Sequence, residues 1–320
     1  MTENGGQKAG RDLAHHAGQS MQQAMHSEQD LRSLLFVPAD AQKRLMRAVQ
    51  SGADAIILDL EDMVAPEHKA KARAAAAEFL RDSKKRENGP RIVVRVNGLE
   101  TGMMDADLDA IMPAAPYGIM LPKSRSGMDV QHLAAKLAVH EAQYDLRDGS
   151  TLILPLVTES GAAVFGLSTY PRSSHRLAGL AWGVEDLCAD IGAEDARNEN
   201  GDWSAPFALV RNLTLFAAAA AIVPAIDTVF RDFGDGNGLR QEALRAQADG
   251  FSAKMAIHPD QVETINQIFT PTGEMLARAQ AIVAAFSAHA DARHVSIEGR
   301  LYDRTHLARA RRTMARAARF

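Results

Sequence analysis

A single cysteine, Cys188, stands in 320 residues. Disulfides within the chain and cysteine-built metal clusters are excluded, and a reducing, cytoplasmic location is expected. No stretch of ~18 apolar residues is available to span a bilayer. The first thirty residues, with G-G-Q-K-A-G and H-H-A-G-Q-S, lack the apolar centre of a signal peptide and are expected to form a disordered tail. The net charge of −4 leaves no electrostatic footprint for nucleic acid. Neither nucleic-acid nor membrane partners are expected. One basic cluster, Arg309, Arg311, Arg312, Arg316 and Arg319, is read as a solvated helix face ahead of a phosphate contact. A G-x-G-x-x-G turn after the first strand is also missing, which counts against a doubly wound open sheet.

What the chain does have is a regular alternation. Apolar residues make up 46% and charged residues 24%, the balance of a globular protein with a sizeable core. Short apolar runs at Leu34–Val37, Ala55–Leu58, Ile92–Val96, Gly118–Leu121, Leu152–Val157, Leu177–Trp182, Ala221–Ile226 and Phe251–Ile257 read as strands. Helical stretches separate them, from Gln42–Gln50 to Asp260–Phe269. Repeated β/α units argue for a parallel sheet, and eight of them match a closed barrel. The expected class is α/β, a (β/α)8 TIM barrel over residues 31–270, with a C-terminal helical extension or lid over 271–320. That extension is expected as two helices, Gly273–His289 and Tyr302–Ala318, joined by a polar link, Asp291–Arg300.

In such barrels chemistry sits where strands end. Strand 2 ends in Asp59, Glu61 and Asp62 with no cation among them, which calls for a metal ion or an arginine from another segment. Strand 3 supplies Arg95 and Asn97, strand 4 Lys123, strand 5 Glu159, and strand 6 Glu185 and Asp186. An oxygen-only cluster selects a hard cation, Mg²⁺ first and Mn²⁺ as the alternative. Mg²⁺ keeps positions for a chelating 2-hydroxy or 2-keto acid, beside which Arg95 would polarise a carbonyl or stabilise an enolate oxygen. Alternatives stand beside these readings. Asp59 either touches the metal or only orients Arg95, and Asp40 either serves the site or caps the first helix. Lys123 is read as an electrostatic group, and His258 as a capping or packing residue.

Eight segments in register resemble the citrate lyase β-subunit-like proteins of the HpcH/HpaI aldolase family, which includes malyl-CoA and citramalyl-CoA lyases. They are R-S-L-L-F-V-P (Arg32–Pro38), D-A-I-I-L-D-L-E-D-M-V (Asp54–Val64), R-V-N-G (Arg95–Gly98), L-P-K-S (Leu121–Ser124), E-S-G-A (Glu159–Ala162), G-V-E-D-L (Gly183–Leu187), A-I-D-T-V-F-R-D-F (Ala225–Phe233) and K-M-A-I-H-P (Lys254–Pro259). The resemblance implies a Mg²⁺-dependent carbon–carbon lyase acting on a 3-hydroxyacyl-CoA thioester, with coenzyme A as part of the substrate. In that reading Glu159 and Asp186 match the metal ligands, and Arg95 matches the arginine on the keto and enolate oxygens. Glu61 and Asp62 match acidic residues near the metal, while Arg32, Lys123 and Lys254 fall at substrate or coenzyme positions. G-R-L-Y-D-R-T-H (Gly299–His306) resembles a C-terminal motif whose aspartate, here Asp303, handles the proton, in many members at a neighbouring subunit's site. Leu301, Tyr302, Thr305 and Ala253 depart from the usual residues. A homo-oligomer, trimer or hexamer, is implied. A malyl-CoA-type thioesterase and a citrate lyase β-subunit working with an acyl-carrier partner are the alternatives.

Overall fold

The computed structural model describes residues 31–320; the expected N-terminal tail lies outside the described residues. The described chain divides into two compact units, 31–266 and 267–320. The helix Asp260–Phe269 spans that boundary, a few residues before the position expected from sequence.

The first unit is an eight-stranded parallel barrel. Its strands are β1 (Ser33–Pro38), β2 (Ala55–Asp59), β3 (Arg91–Arg95), β4 (Gly118–Leu121), β5 (Leu152–Pro155), β6 (Leu180–Ala181), β7 (Ala225–Asp227) and β8 (Ala253–Ala256). Hydrogen-bonded neighbours run in the order β5-β4-β3-β2-β1-β8-β7-β6. Parallel bridges from Ile153 to Leu177 and from Leu156 to Ala181 join the two ends of that order. The helices are α1 (Gln42–Gln50), α2 (Lys69–Ser83), α3 (Met104–Ile111), α4 (Gly127–Gln143), α5 (Gly161–Gly166), α6 (Glu185–Asp190), α7 (Ala205–Ala221), α8 (Gly236–Asp249) and α9 (Asp260–Phe269). Strands covered on both faces need apolar residues at every position, which is why they read as continuous apolar runs.

Side chains alternate between the lumen and the helix layer. Leu34 and Phe36, Ala55 and Ile57, Val93, Met120, Leu154, Ile226 and Met255 share the inner core. Two further steps along the same rows are Asp59 on β2 and Arg95 on β3, register partners at the C-terminal end of the sheet. The alternation that fills the lumen with methyl groups therefore ends in an ion pair. Helix starts are set locally. Ser126 and Asp129 form a capping box at α4, and Ser160, next to Glu159, caps α5.

In the second unit, α10 (Gly273–Ala288) and α11 (Arg304–Ala317) enclose Ala279, Ile282, Phe286, Leu307 and Ala310. The link expected as polar, Asp291–Arg300, contains regular structure, and Tyr302, expected to begin the last helix, lies in a strand. Strands β9 (His294–Ile297) and β10 (Arg300–Asp303) form an antiparallel hairpin. Its turn, Glu298-Gly299, has φ of +52° and +77°, the left-handed pair that a two-residue hairpin loop requires. Val295, Ile297 and the E-G pair were the sequence signal for it. Among the described residues, no helix is long and apolar enough to cross a membrane.

Candidate active site

Arg95 is the centre of the polar strand ends. Its Nε and Nη2 donate to the two carboxylate oxygens of Asp59 at 2.6 and 2.7 Å. Asp59 also accepts the backbone N–H groups of Glu61 (2.9 Å) and Met63 (2.8 Å), so both of its oxygens are committed. Asp59 orients Arg95 and the following loop, the second of its two sequence readings. Arg95 Nη1 is left facing Glu61 Oε2 at 3.1 Å, and Phe36 lies under the guanidinium with its ring centre at 5.0 Å. Burial opposes the charge on Arg95, but the Asp59 hydrogen bonds and charge outweigh it and hold the guanidinium protonated.

Lys123 bridges the other carboxylates. Its Nζ donates to Glu61 Oε1 at 2.8 Å and lies 3.4 Å from Asp62 and 3.7 Å from Asp186. Its backbone N–H donates to Glu159 Oε2 at 2.5 Å. Burial works against the ammonium here as well, and the Glu61 hydrogen bond with the nearby carboxylates raises its proton affinity. An ammonium committed in this way suits an electrostatic group better than a Schiff-base nucleophile.

Glu159 is buried, and burial pushes its carboxyl up to about 8, with Glu61 and Asp186 adding to the rise. Gly183 permits that position, since a Cβ there would meet Glu159 Cγ at 2.6 Å. Gly183 is held in turn by Thr158, whose hydroxyl bonds its N–H and its carbonyl, each at 3.0 Å. Burial likewise raises the carboxyl of Glu61. The cluster gathered at the strand ends is thus Arg95, Glu61, Asp62, Lys123, Glu159 and Asp186. Its carboxylates outnumber its cations.

The loop carrying Glu61 rests on two residues that the strand-end reading left out or gave no role. Lys69, on α2, donates from Nζ to the carbonyls of Leu60 and Glu61, both at 2.7 Å. Asn97 reaches the Leu60 carbonyl at 3.1 Å and is fixed by Asp107 at 2.7 Å, which Arg73 grips at 2.6 Å. Lys69 lies ten residues from Asp59 in a charged stretch and carries no motif that would reveal its role.

Two expected site residues, Arg32 and Lys254, have their partners away from this cluster. Arg32 lies before β1, at the opposite end of the parallel strands from Asp59, and binds Asp54 through Nε (2.9 Å) and Nη2 (2.7 Å). Lys254 is fully buried on β8 and donates to Asp227 (2.7 Å), the Thr228 carbonyl (2.7 Å) and Glu242 of α8 (2.8 Å). Both side chains are held by framework partners of the barrel. Asp303 belongs to the second unit, where it caps α11. It accepts from the backbone of Thr305 and His306 and from both their side chains. Those bonds, Thr305 first, hold its carboxyl well below the usual carboxylate range.

Two smaller readings also resolve. Asp40 does not cap α1, whose N-cap is Ala41; it lies 3.8 Å from His68. His258 accepts the Asp260 N–H at the start of α9 and stacks on Phe233, a local capping and packing role.

Could these residues take a divalent cation? Glu159 is buried with its charge undercompensated, and Glu61 Oε2, buried without a hydrogen bond, has the Arg95 guanidinium 3.1 Å away. Among the described residues no three Asp, Glu, His or Cys side chains converge as a ready-made cage. Two carboxylates with open positions suit Mg²⁺, which retains waters and substrate oxygens. The donor set fits.

The family model for HpcH/HpaI aldolase/citrate lyase matches residues 32–259, and that for a carbon–carbon bond lyase of the TIM-barrel fold matches 209–320. The chain is 31% identical over 266 residues to the mitochondrial citramalyl-CoA lyase of Rattus norvegicus, covering 81% of this chain and 77% of that one. It is 32% identical over 296 residues to a (3S)-malyl-CoA thioesterase of Cereibacter sphaeroides, covering 91% and 96%. The structure of CitE from Mycobacterium tuberculosis, in complex with magnesium, acetoacetate and coenzyme A, superposes with a TM-score of 0.72 at 31% identity, covering 90% of this chain and 98% of that one. With its barrel and its strand-end carboxylates, the chain belongs to the HpcH/HpaI aldolase/citrate lyase family.

Proposed function

We propose that this protein is a Mg²⁺-dependent carbon–carbon lyase that cleaves a 3-hydroxyacyl-CoA thioester, of the citramalyl-CoA or malyl-CoA type, to acetyl-CoA and a 2-keto acid. The observation that carries the reading is Arg95, a buried guanidinium locked by Asp59 with its remaining edge turned to the carboxylates. A fixed cation of this kind is what an enolate oxygen needs, because it requires no reorganisation when charge develops. Glu159 and Asp186 would hold the metal, with Mn²⁺ able to replace Mg²⁺. When bound, the ion supplies Lewis acidity at the oxygens of the 2-hydroxy acid.

The residues of the chain carry the rest. The substrate hydroxyl loses its proton, its oxygen becomes the carbonyl of the keto acid, and the C2–C3 bond breaks. The electron pair of that bond passes to the thioester as an enolate, whose oxygen Arg95 stabilises. We assign the hydroxyl proton to Glu61, whose proton affinity burial raises above that of an ordinary carboxylate. Asp62 and Lys123 balance charge around it. Asp303 would remove the α-proton in the condensing direction; in cleavage the enolate carbon would take its proton from the Asp303 carboxyl, reprotonated from solvent. In a homo-oligomer that residue would come from a neighbouring copy.

A panel of CoA thioesters assayed with Mg²⁺ and with EDTA, with keto acids as the measured product, tests the reading. Metal-dependent pyruvate or glyoxylate is expected; no keto acid from any thioester would refute it. The thioesterase reading has a specific support in the Cereibacter relative. Free thiol appearing with acetyl-CoA and glyoxylate would favour it.

A further inference from the structure

We propose that Tyr170, which touches none of the reacting groups above, is a positioning residue. It holds Ser124, the residue after Lys123, and so keeps Lys123 in the strained conformation that directs it onto the carboxylates. The inference rests on the proposed role of Glu159 as a metal ligand.

Lys123 has φ of +52°, a left-handed conformation that a residue with a Cβ rarely adopts and that marks a constraint imposed from outside. That one conformation does two things. It turns the Lys123 N–H onto Glu159 Oε2, and it sends Nζ toward Glu61, Asp62 and Asp186. Four carboxylates therefore depend on the backbone angle of one lysine.

The constraint lies on the next residue. Tyr170 donates its hydroxyl proton to the Ser124 carbonyl at 3.1 Å, and its oxygen lies 2.9 Å from Ser124 Oγ. A tyrosine hydroxyl has one proton, so the Ser124 hydroxyl donates the second bond. Tyr170 is completely buried, and these two contacts with Ser124 satisfy its hydroxyl. A phenylalanine would fill the same space without the cost of burying an oxygen. The oxygen is there to hold the loop.

The segment leading to Tyr170 closes on the same loop from the other side. A Cβ on Gly166 would collide with the Arg125 carbonyl, and one on Gly127 with the Thr169 carbonyl. Gly127 N–H donates to Thr169 Oγ1 at 2.8 Å. Residues 166–170, following the helix that begins just after Glu159, thus grip residues 124–127, following Lys123. The element that carries Glu159 also sets the lysine that orients it.

The test uses Tyr170→Phe in the full chain, with Ser124→Ala as a second variant that keeps the bond to the carbonyl. Two readouts are taken: hydrogen exchange of the Lys123 amide, and Mn²⁺ affinity by electron paramagnetic resonance. Tyr170→Phe should speed exchange at Lys123 and weaken Mn²⁺ binding ~10-fold or more, as loss of a partner behind a ligand does. It should lower kcat while leaving KM for the thioester near its original value. Ser124→Ala should show the same changes to a smaller degree. Unaltered exchange at Lys123 in either folded variant overturns the proposal. Wild-type protein that binds no Mn²⁺ would instead refute the metal reading, while exchange at Lys123 still decides the role of Tyr170.

Discussion

Arg95 and Glu159 are opposite solutions to burying a charge. Arg95 is paid in full by a two-pronged bond to Asp59, which a lysine cannot reproduce because it lacks the planar fork. Arg95→Ala should lower turnover by at least ~10²-fold, and Arg95→Lys should not restore it, in a keto-acid assay with Mg²⁺ in excess. Glu159 is left undercompensated, and that makes it responsive to pH. Below its unfolded value of 4.5 the carboxyl is protonated in both states and contributes nothing; between there and about 8 only the unfolded chain ionises. The metal-free protein should therefore lose stability as pH rises through that window, with no further loss above it. Metal binding needs the carboxylate, so affinity for Mg²⁺ should climb with pH by up to ~10-fold per unit and level off near pH 8. Calorimetric titrations on either side of that value check it; a flat affinity would remove Glu159 from the ligand set. Gly183→Ala should weaken the metal through sterics alone, since its Cβ would meet Glu159 Cγ at 2.6 Å.

The strand–helix units set which charges reach the mouth of the barrel. On β8 the alternation turns Met255 inward and Lys254 outward, toward Glu242 on α8. Lys254→Met takes a buried cation from Asp227 and Glu242, which keep Trp182 and Arg197 as partners, and a loss of about 1.5–3 kcal/mol is expected from denaturant unfolding. The KM for the thioester should stay unchanged in the folded fraction, whereas a coenzyme contact would raise it. Sequence reading could not make this distinction. K-M-A-I-H-P shows that Lys254 is near a strand end, but its direction depends on a register shared with β1 and β7. The C-terminal link shows the converse case, in which a local turn signal, Glu298-Gly299, was sufficient and went unused.

The chain contains a barrel whose strand ends carry the carboxylates and a second unit that carries Asp303. If Asp303 handles the α-proton, Asp303→Asn should abolish exchange of the acetyl-CoA α-protons with solvent. If copies share sites, mixing Arg95→Ala chains with Asp303→Asn chains under subunit exchange should restore keto-acid release that neither variant shows alone. A mixture that stays inactive would confine Asp303 to its own chain or dismiss it.

Local rules determined much of this in the sequence alone. Eight apolar runs separated by helical stretches imply a parallel barrel, because only strands covered on both faces are apolar throughout. The same order put Glu61, Asp62, Arg95, Lys123, Glu159 and Asp186 at strand ends, and the structure brings these together. Only the tertiary structure decided how they share charge. Asp59 could be a ligand or an orienter until Arg95, 36 residues away, occupied both its oxygens. Gly183 and Tyr170 acquire their roles through contacts between segments distant in sequence, and Lys69 through the way α2 folds back over the carbonyls of Leu60 and Glu61. Which residue a side chain meets depends on closure of the barrel, and no local pattern records it.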